Sequence, residues 1–179
     1  MDNRTRTRLI KDTIPATVLA LILLSVSAPA SALERKLAFS VPGVVATVMV
    51  KTGQTVEAGA ALARLDTRPL AAEKSAADAM LKTANRKLSI HRKNHDRTRQ
   101  LFDDLSASGE QVEQAAIQFA DAQAERAHAK AMADIAAWRL NQATLRAPSS
   151  GTVTAVRGYA GLVVDPAAEI TSVIILSTP

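Results

Sequence analysis

The stretch GVVATVMVKTGQTVEAGAALARL, residues 43–65, consists almost entirely of small and β-branched residues, interrupted by Gly43, Gly53 and Gly59. A second stretch, GTVTAVRGYAGLVVDPAAEITSV, residues 151–173, repeats it with an offset of 108 residues. With this offset Gly43 aligns with Gly151 and Gly53 aligns with Gly161, and valines align at positions between these glycines. Short valine-rich runs broken by glycine turns predict strands, three or four in each copy, and neither copy can bury its faces alone. We therefore expect the two copies to close against each other as halves of one β-domain.

The segment between the copies is typical of two long helices. No glycine or proline occurs from residue 70 to 108 or from 110 to 147, and Gly109 alone separates the two runs. Small and apolar residues recur at alternating steps of three and four, which favours an antiparallel coiled-coil hairpin. Ser108 followed by Gln111 predicts a capping box at the start of the second helix. The expected seam residues are Ala77, Leu81, Ala84, Leu88, His91, His95, Thr98, Phe102 and Leu105 in the first helix, and Val112, Ala115, Phe119, Ala122, Arg126, Ala129, Ala133, Ala136 and Leu140 in the second.

The N-terminal residues 1–32 have the pattern of a secretory signal. A basic head with four cations precedes an apolar run at 16–26, and SAPASA supplies an A-x-A exit. The run of about 11 residues is short against the roughly 20 that a spanning helix needs, so cleavage near Leu33 is expected. An uncleaved membrane anchor is the alternative. Either way the chain is expected in the periplasm.

Composition excludes several classes of function. The chain has no cysteine, so it can form neither disulfides nor a thiolate metal site. Its net charge of +5 falls to a mild +3 once the signal, with four Lys and Arg against two Asp, is removed. An exported protein meets little nucleic acid, so we expect no nucleic-acid partner.

The charges of the two predicted helices differ in sign. Residues 67–104 hold nine Lys and Arg against five Asp and Glu, whereas residues 109–142 hold three against five. The basic run KLSIHRKNHDRTR at 87–99 is therefore expected to be a solvated face that faces the more acidic second helix. The alternative function for this run is contact with an anionic surface.

A split β-domain interrupted by a helical hairpin resembles the periplasmic adaptor, or membrane fusion, proteins of the HlyD and RND-efflux type. VPGVVATVMVKTGQTVEAGAALARLD is similar to the first half of their lipoyl-like domain, and TLRAPSSGTVTAVRGYAGLVV to the second. The resemblance implies an α+β fold: a split lipoyl-like β-sandwich carrying a long antiparallel hairpin. The expected divisions are the signal at 1–32, the first lipoyl-like half at 33–66, the hairpin at 67–143 with its tip near 102–109, and the second half at 144–179.

A further match lies near the predicted tip. Adaptors that dock TolC-type outer-membrane channels carry Arg, Leu and Ser there, four and seven residues apart, and RTRQLFDDLSAS supplies Arg97, Leu101 and Ser108 at those spacings. The resemblance implies that Leu101 packs into a groove of the channel while Arg97 and Ser108 form hydrogen bonds across the contact. The alternative is that Leu101 only closes the hairpin and Arg97 is a surface charge.

The resemblance also implies partners. Adaptors of this type associate into a ring, meet a TolC-type channel at the hairpin tips, and contact an inner-membrane transporter through a β-barrel and a membrane-proximal domain. The sequence shows no counterpart of those two domains, so we expect either a truncated chain or an abbreviated adaptor.

No enzyme, cofactor or metal site is predicted. A lipoyl or biotinyl carrier presents its modified lysine on a tight turn, which the helical insert replaces here; Lys51 and Lys74 are not at such a turn. His91 and His95 are spaced to ligate zinc, but no third ligand accompanies them, and we expect them to pack in the seam. The alternatives to an adaptor are therefore a carrier domain or a freestanding structural coiled coil.

Overall fold

A computed structural model describes residues 33–168 and 171–178. The predicted secretory signal, residues 1–32, lies outside the described residues. The described residues form, in chain order, β1 (Leu33–Leu37), β2 (Gly43–Val48), β3 (Thr55–Val56), β4 (Ala61–Leu65), α1 (Arg68–Asp103), α2 (Gly109–Gln142), β5 (Thr144–Arg146), β6 (Gly151–Val156), β7 (Val163–Val164) and β8 (Ile174–Thr178). Within these ranges no helix combines the length and apolarity needed to cross a bilayer.

The two sequence copies interleave in two antiparallel sheets. The first sheet has the order β1-β8-β6-β3 and the second the order β5-β4-β2-β7. β3 of the first copy pairs with β6 of the second, placing Thr55 opposite Thr152. β7 of the second copy pairs in turn with β2 of the first, placing Val164 opposite Gly43. The bounds of β2 and β6, and of β3 and β7, differ by the predicted 108 residues, so the split β-domain is confirmed.

The copies differ in how many strands they contain. The first contains β2, β3 and β4, as predicted, but the second contains only β6 and β7 among its described residues. The next strand, β8, begins one residue after the repeat ends at Val173. The prediction of at least three strands in the second copy was therefore wrong, because the third strand, β8, begins just beyond the end of the copy.

The core of the β-domain draws on both copies. Val45, Leu62 and Leu65 from the first copy and Val153 from the second are at most 1% exposed, as is Leu176 of β8. Full burial of one such aliphatic side chain contributes roughly 1.5–3 kcal/mol. Because neither copy supplies a complete core, the chain must return from the hairpin before the β-domain can close.

Equivalent turns in the two copies require glycine. Gly53 and Gly161 have φ angles of 86° and 95°, in the region that residues with a Cβ rarely adopt. Gly59 joins the two halves of the β-domain, since its amide donates to the Ala147 carbonyl oxygen at 2.8 Å. Glycine in these turns lets successive short strands reverse within a few residues.

The insert forms an antiparallel pair of helices. α1 has 36 residues and α2 has 34, so each is about 50–55 Å long at 1.5 Å per residue. In α1 every predicted seam residue from 77 to 98 is buried or half-buried. Most of the corresponding α2 positions are also buried, and the fully buried ones are alanines, which let the two backbones approach closely. These are Ala115, Ala122, Ala129, Ala133 and Ala136.

Three predicted seam residues are exposed instead. α1 ends at Asp103, so Leu105 lies in the turn and is 95% exposed, and Phe102 beside it is 44% exposed. Arg126 is also exposed, and its Nε donates to Asn85 Oδ1 on the other helix at 3.3 Å. The apolar periodicity of the sequence continues past the end of α1, which explains Phe102 and Leu105. At position 126 the long arginine side chain points out of the seam toward Asn85.

The predicted charge pairing between the helices is wrong for most of the basic run. Lys87 pairs with Glu125 at 2.7 Å, as expected. In a second salt bridge, between Arg139 and Glu73, the cation lies on α2 and the carboxylate on α1. Among the described residues, the other cations of the run make no ion pair: Arg92, Lys93, Arg97 and Arg99. All four are exposed, as expected of a solvated face, but within the described residues none of them forms a salt bridge to α2.

Candidate functional site: the hairpin tip

The end of α1 is closed by backbone hydrogen bonds around a left-handed leucine. The Leu105 amide donates to the Phe102 carbonyl oxygen at 2.9 Å, and the Ser106 amide donates to the Leu101 carbonyl oxygen at 2.7 Å. This is the Schellman arrangement, in which the left-handed residue is usually glycine. Leu105 occupies that position with a φ of 58°. A residue with a Cβ is strained there by roughly 1–2 kcal/mol.

The start of α2 has the predicted capping box. The Gln111 amide donates to Ser108 Oγ at 3.3 Å, and the Ser108 amide donates to Gln111 Oε1 at 2.8 Å. Two amides that the helix itself leaves unpaired are thereby satisfied. The Ser108 side chain stays exposed, so its hydroxyl proton is free to donate while its oxygen caps the helix.

The residues singled out by the tip motif lie in two adjoining grooves. Leu101, 42% exposed, and Ser108 line one groove together with polar side chains of both helices, among them the carboxylate of Glu110. Arg97 lines the neighbouring groove with Ile90 and Lys93. Asn94 and Gln118 border both grooves. The fold thus brings Leu101 and Ser108 together and sets Arg97 beside them, on a more basic surface.

Sequence reasoning missed Leu105 as a surface residue. It is the most exposed large apolar side chain among those described, and it lies at the extreme end of the hairpin. The capping signal at Ser108 could have placed Leu105 in the turn. A second helix that starts at 109 and folds back on the first needs the residues just before 109 for the turn. With Leu101 and Phe102, it forms an apolar tip that water does not favour.

The seam histidines pack rather than converge on a metal-binding arrangement. The His95 ring stacks on Phe119 with 5.6 Å between ring centroids and 21° between planes, and its Nδ1 lies 3.3 Å from Asp96 Oδ1. His91 is half-buried in the seam, one turn away. In the described part of the chain no three His, Cys, Asp or Glu side chains cluster as metal ligands.

The base of the hairpin is held by a carboxylate just before α1. Asp66 accepts hydrogen bonds from the Arg68 Nε and Nη2 atoms and from the Arg68 amide. The side-chain hydrogen bonds, followed by the amide hydrogen bond, lower the pKa of Asp66 from 3.8 to about 2, and the carboxylate raises the pKa of Arg68. Asp66 thereby satisfies an N-terminal amide of α1 and fixes where the helix leaves the sheet.

Comparison with known proteins finds likeness in structure rather than in sequence. No family model matches the chain, and no curated protein matches it. ZneB from Cupriavidus metallidurans has a TM-score of 0.60 and 20% identity over 84% of this chain and 62% of its own. The membrane fusion protein Spr0693 from Streptococcus pneumoniae has a TM-score of 0.60 and 19% identity over 82% and 63%.

A third solved structure is similar in both parts of the fold. A MacA-MexA chimera containing the α-hairpin domain of Pseudomonas aeruginosa MexA has a TM-score of 0.57 and 24% identity, covering 81% of this chain and 46% of its own. The chain therefore spans between about half and two thirds of the length of these structures. The α+β fold predicted from the sequence is confirmed: this chain has the fold of the membrane fusion proteins, a split β-sandwich carrying an antiparallel helical hairpin.

Proposed function

We propose that this chain is the periplasmic adaptor subunit of a tripartite efflux or secretion system. Its hairpin tip contacts a TolC-type outer-membrane channel, and the other end of the assembly contacts an inner-membrane transporter. It is exported through the signal at residues 1–32 and performs no chemistry itself. The observation that carries the proposal is a hairpin about 50 Å long that ends in exposed apolar side chains.

The composition of the tip supports a protein contact. Leu101, Phe102 and Leu105 are all exposed, at 42%, 44% and 95%, within five residues of one another. Small interfaces are held by buried apolar anchors with polar groups at the rim. In this proposal Leu101 and Leu105 are the anchors, and the Ser108 hydroxyl and Arg97 guanidinium form hydrogen bonds at the rim.

Several copies act together in the proposed assembly. The β-domains associate side by side as a ring and the hairpins form a tube, so that each tip reaches the channel at the same level. An adaptor of this kind needs rigid length rather than a cavity. The alanine seam supplies that rigidity, because two closely packed helices bend less than a single one.

Photocrosslinking from the tip tests the channel contact. A photoreactive amino acid placed at position 101, in cells that also produce a TolC-type channel, is expected to give an adduct with the mass of chain plus channel. Met132 provides a matched control, since it is 43% exposed against 42% for Leu101 but lies in the half of α2 remote from the tip. Position 132 is expected to give no channel adduct.

The opposite result decides against the proposal. A folded, exported chain that yields no channel adduct from position 101, or equal adducts from 101 and 132, is a structural coiled coil rather than an adaptor. An intact mass showing a lipoyl or biotinyl adduct on a lysine would instead identify a carrier domain.

A further inference from the structure

A shallow groove runs along one of the two broad faces of the hairpin, near the middle of its length. In α1 this cationic groove is lined by Lys82, Arg86 and Arg92, which are all exposed. Asn85 and Ser89 border both of its halves, so the groove is continuous. Within the described residues none of the three cations forms a salt bridge. Unpaired positive charge therefore extends over about 15 Å of the hairpin, at 1.5 Å per residue.

The second helix supplies the opposite wall of the cationic groove. Gln123 lines it, and the half-buried side chains of Phe119 and Leu88 form its floor. Arg126 lies beside it, since its Nε donates to Asn85 Oδ1 at 3.3 Å. Arg126 is exposed and forms no salt bridge to any residue that the structure describes. Cations, amides and a hydroxyl thus surround a small apolar floor.

Two carboxylates near the groove are already paired. Among the residues that line it, Asp78 is the only acid, and it forms a salt bridge with Lys74 one turn earlier in α1. Glu125 pairs with Lys87 across the seam at 2.7 Å, on the other broad face of the hairpin. The cationic groove therefore keeps a net positive charge that a partner of opposite charge can neutralise.

The other broad face of the hairpin is apolar by comparison. Met80 lines a groove there together with Glu125. Met80 is 65% exposed, and Ile90 further along α1 is 64% exposed. Of the exposed large apolar side chains in the described ranges, none lines the cationic groove. The two broad faces therefore differ in the chemistry of the partners that they can bind.

These features distinguish between classes of anionic partner. A membrane surface is bound by helices that carry large apolar side chains beside their cations, and the cationic groove has none that is exposed. Single-stranded nucleic acid needs exposed aromatic rings on which its bases stack, whereas Phe119 is half-buried. A small ligand is normally enclosed by its pocket, whereas this groove is open along its length. A polar, extended polyanion remains.

We propose that the cationic groove binds a carboxylate-bearing glycan polymer, the peptidoglycan of the cell wall. A guanidinium holds a carboxylate through two parallel hydrogen bonds, so Arg86 and Arg92 bind the carboxylates of the peptide stems. The Gln123 amide and the Ser89 hydroxyl both donate and accept hydrogen bonds, which suits sugar hydroxyls and acetamido groups. The half-buried Phe119 supplies an apolar surface for the face of a sugar ring.

This inference goes beyond the proposed channel contact and requires only that the chain is exported. A single exposed ion pair is weak, but a polymer offers many carboxylates to several copies at once, and that multivalency raises the overall affinity. The groove ends at Arg92, roughly 20 Å before Leu105 along the hairpin axis. Binding to the wall therefore leaves the tip free for its own contact.

Co-sedimentation with isolated peptidoglycan sacculi tests the proposal. The full chain is expected to sediment with sacculi at about 50 mM salt and to be released at about 500 mM, because exposed ion pairs are screened. Sacculi whose stem carboxylates have been converted to amides should retain about tenfold less of the chain. Equal retention by the two preparations overturns the assignment to carboxylates.

Charge reversal tests the site itself. Arg92→Glu is expected to lower the affinity for sacculi about tenfold or more, with the helical circular dichroism unchanged. Lys93→Glu is the matched control, since it makes the same change in charge one residue away, and Lys93 lies outside the cationic groove. The control should retain most of the binding. Equal losses in the two variants would indicate attraction to the net charge alone and would overturn the site.

An uncharged substitution tests whether the polymer is recognised as a glycan. Gln123→Ala keeps every charge and should lower the affinity several-fold, because hydrogen bonds to sugar groups are lost. Unchanged binding in Gln123→Ala overturns the glycan in favour of any polyanion. Tighter binding to phosphatidylglycerol vesicles than to sacculi overturns it in favour of a membrane.

The wall contact and the channel contact fail separately. Arg92→Glu is expected to leave the channel adduct from position 101 unchanged. Sedimentation with sacculi, without a channel adduct, would remove the channel contact and keep the wall contact. A channel adduct without sedimentation would do the reverse.

Discussion

Ser108 and Gln111 cap the second helix reciprocally, each backbone amide donating to the other residue's side chain, at 2.8 and 3.3 Å. Ser108 is also the residue proposed to touch the channel, so its two roles must be separated. Ser108→Ala removes the cap and is expected to lower the free energy of unfolding by about 1 kcal/mol, measured by urea denaturation.

Ser108→Asp separates the roles, because aspartate caps helices about as well as serine. It should retain the stability that alanine loses while replacing the hydroxyl donor with a carboxylate that only accepts. A channel adduct that is lost in Ser108→Asp with unchanged stability supports the contact role. If the channel adduct instead decreases only in the variant whose free energy of unfolding decreases, Ser108 acts only as a helix cap.

Glycines at the starts of β2, β6 and α2 differ in how much room surrounds them. A Cβ at Gly151 would overlap the Ser177 carbonyl oxygen of β8, which is backbone and cannot turn aside. At Gly43 the nearest atom is the Leu65 Cδ1 at 3.1 Å, and at Gly109 it is the Phe102 Cε2 at 4.0 Å. Substitution by alanine is therefore expected to destabilise the chain most at 151, by about 1–3 kcal/mol, less at 43, and not at 109.

Thermal unfolding followed by circular dichroism orders these three variants. The helices dominate that signal, so it reports on the variants at Gly43 and Gly151 only if the β-domain and the hairpin melt together. A Gly151→Ala variant as stable as Gly109→Ala would mean that β6 and β8 are not packed as closely as the backbone indicates.

The fold could be predicted from the sequence because its determinants are local and repeated. Valine and glycine spacing predicted β2, β3, β6 and β7, and the seam spacing predicted which faces of α1 and α2 meet. The same periodicity could not locate the end of α1, because an apolar residue such as Leu105 continues a seam pattern whether or not the helix does. Only the backbone hydrogen bonds of the turn distinguish the two.

The surface was less predictable than the core. Net charges of whole helices predicted attraction between α1 and α2, but the sum over a helix does not say which face each charge occupies. Lys93 and Glu113 both lie on outer faces, so their charges do not meet within one chain. The positions of such charges follow only once the seam is fixed.

The pair of Asp66 and Arg68 gives a prediction in pH. Hydrogen bonds from Arg68 hold the pKa of Asp66 at about 2, below its ordinary 3.8. A lowered carboxyl pKa stabilises the fold above pH 3.8, and that contribution is lost as pH falls toward 2. Arg68→Ala removes the guanidinium but keeps the amide, so the pKa of Asp66 should rise to a value between these limits, measured by carboxyl carbon NMR. Arg64→Ala is the control, and an equal rise there would indicate a general charge effect.

The strained Leu105 predicts a variant in which stability and binding change in opposite directions. Glycine adopts a φ of 58° without strain, so Leu105→Gly should raise the free energy of unfolding. The gain should be at most about 1 kcal/mol, because glycine also has more conformational freedom to lose from the unfolded chain. The same change removes the most exposed apolar side chain of the tip and should reduce the channel adduct from position 101 several-fold. Leu105→Asn, which also tolerates the left-handed region, tests whether the lost side chain or the altered turn is responsible. Unchanged crosslinking in both variants would show that Leu105 takes no part in the contact.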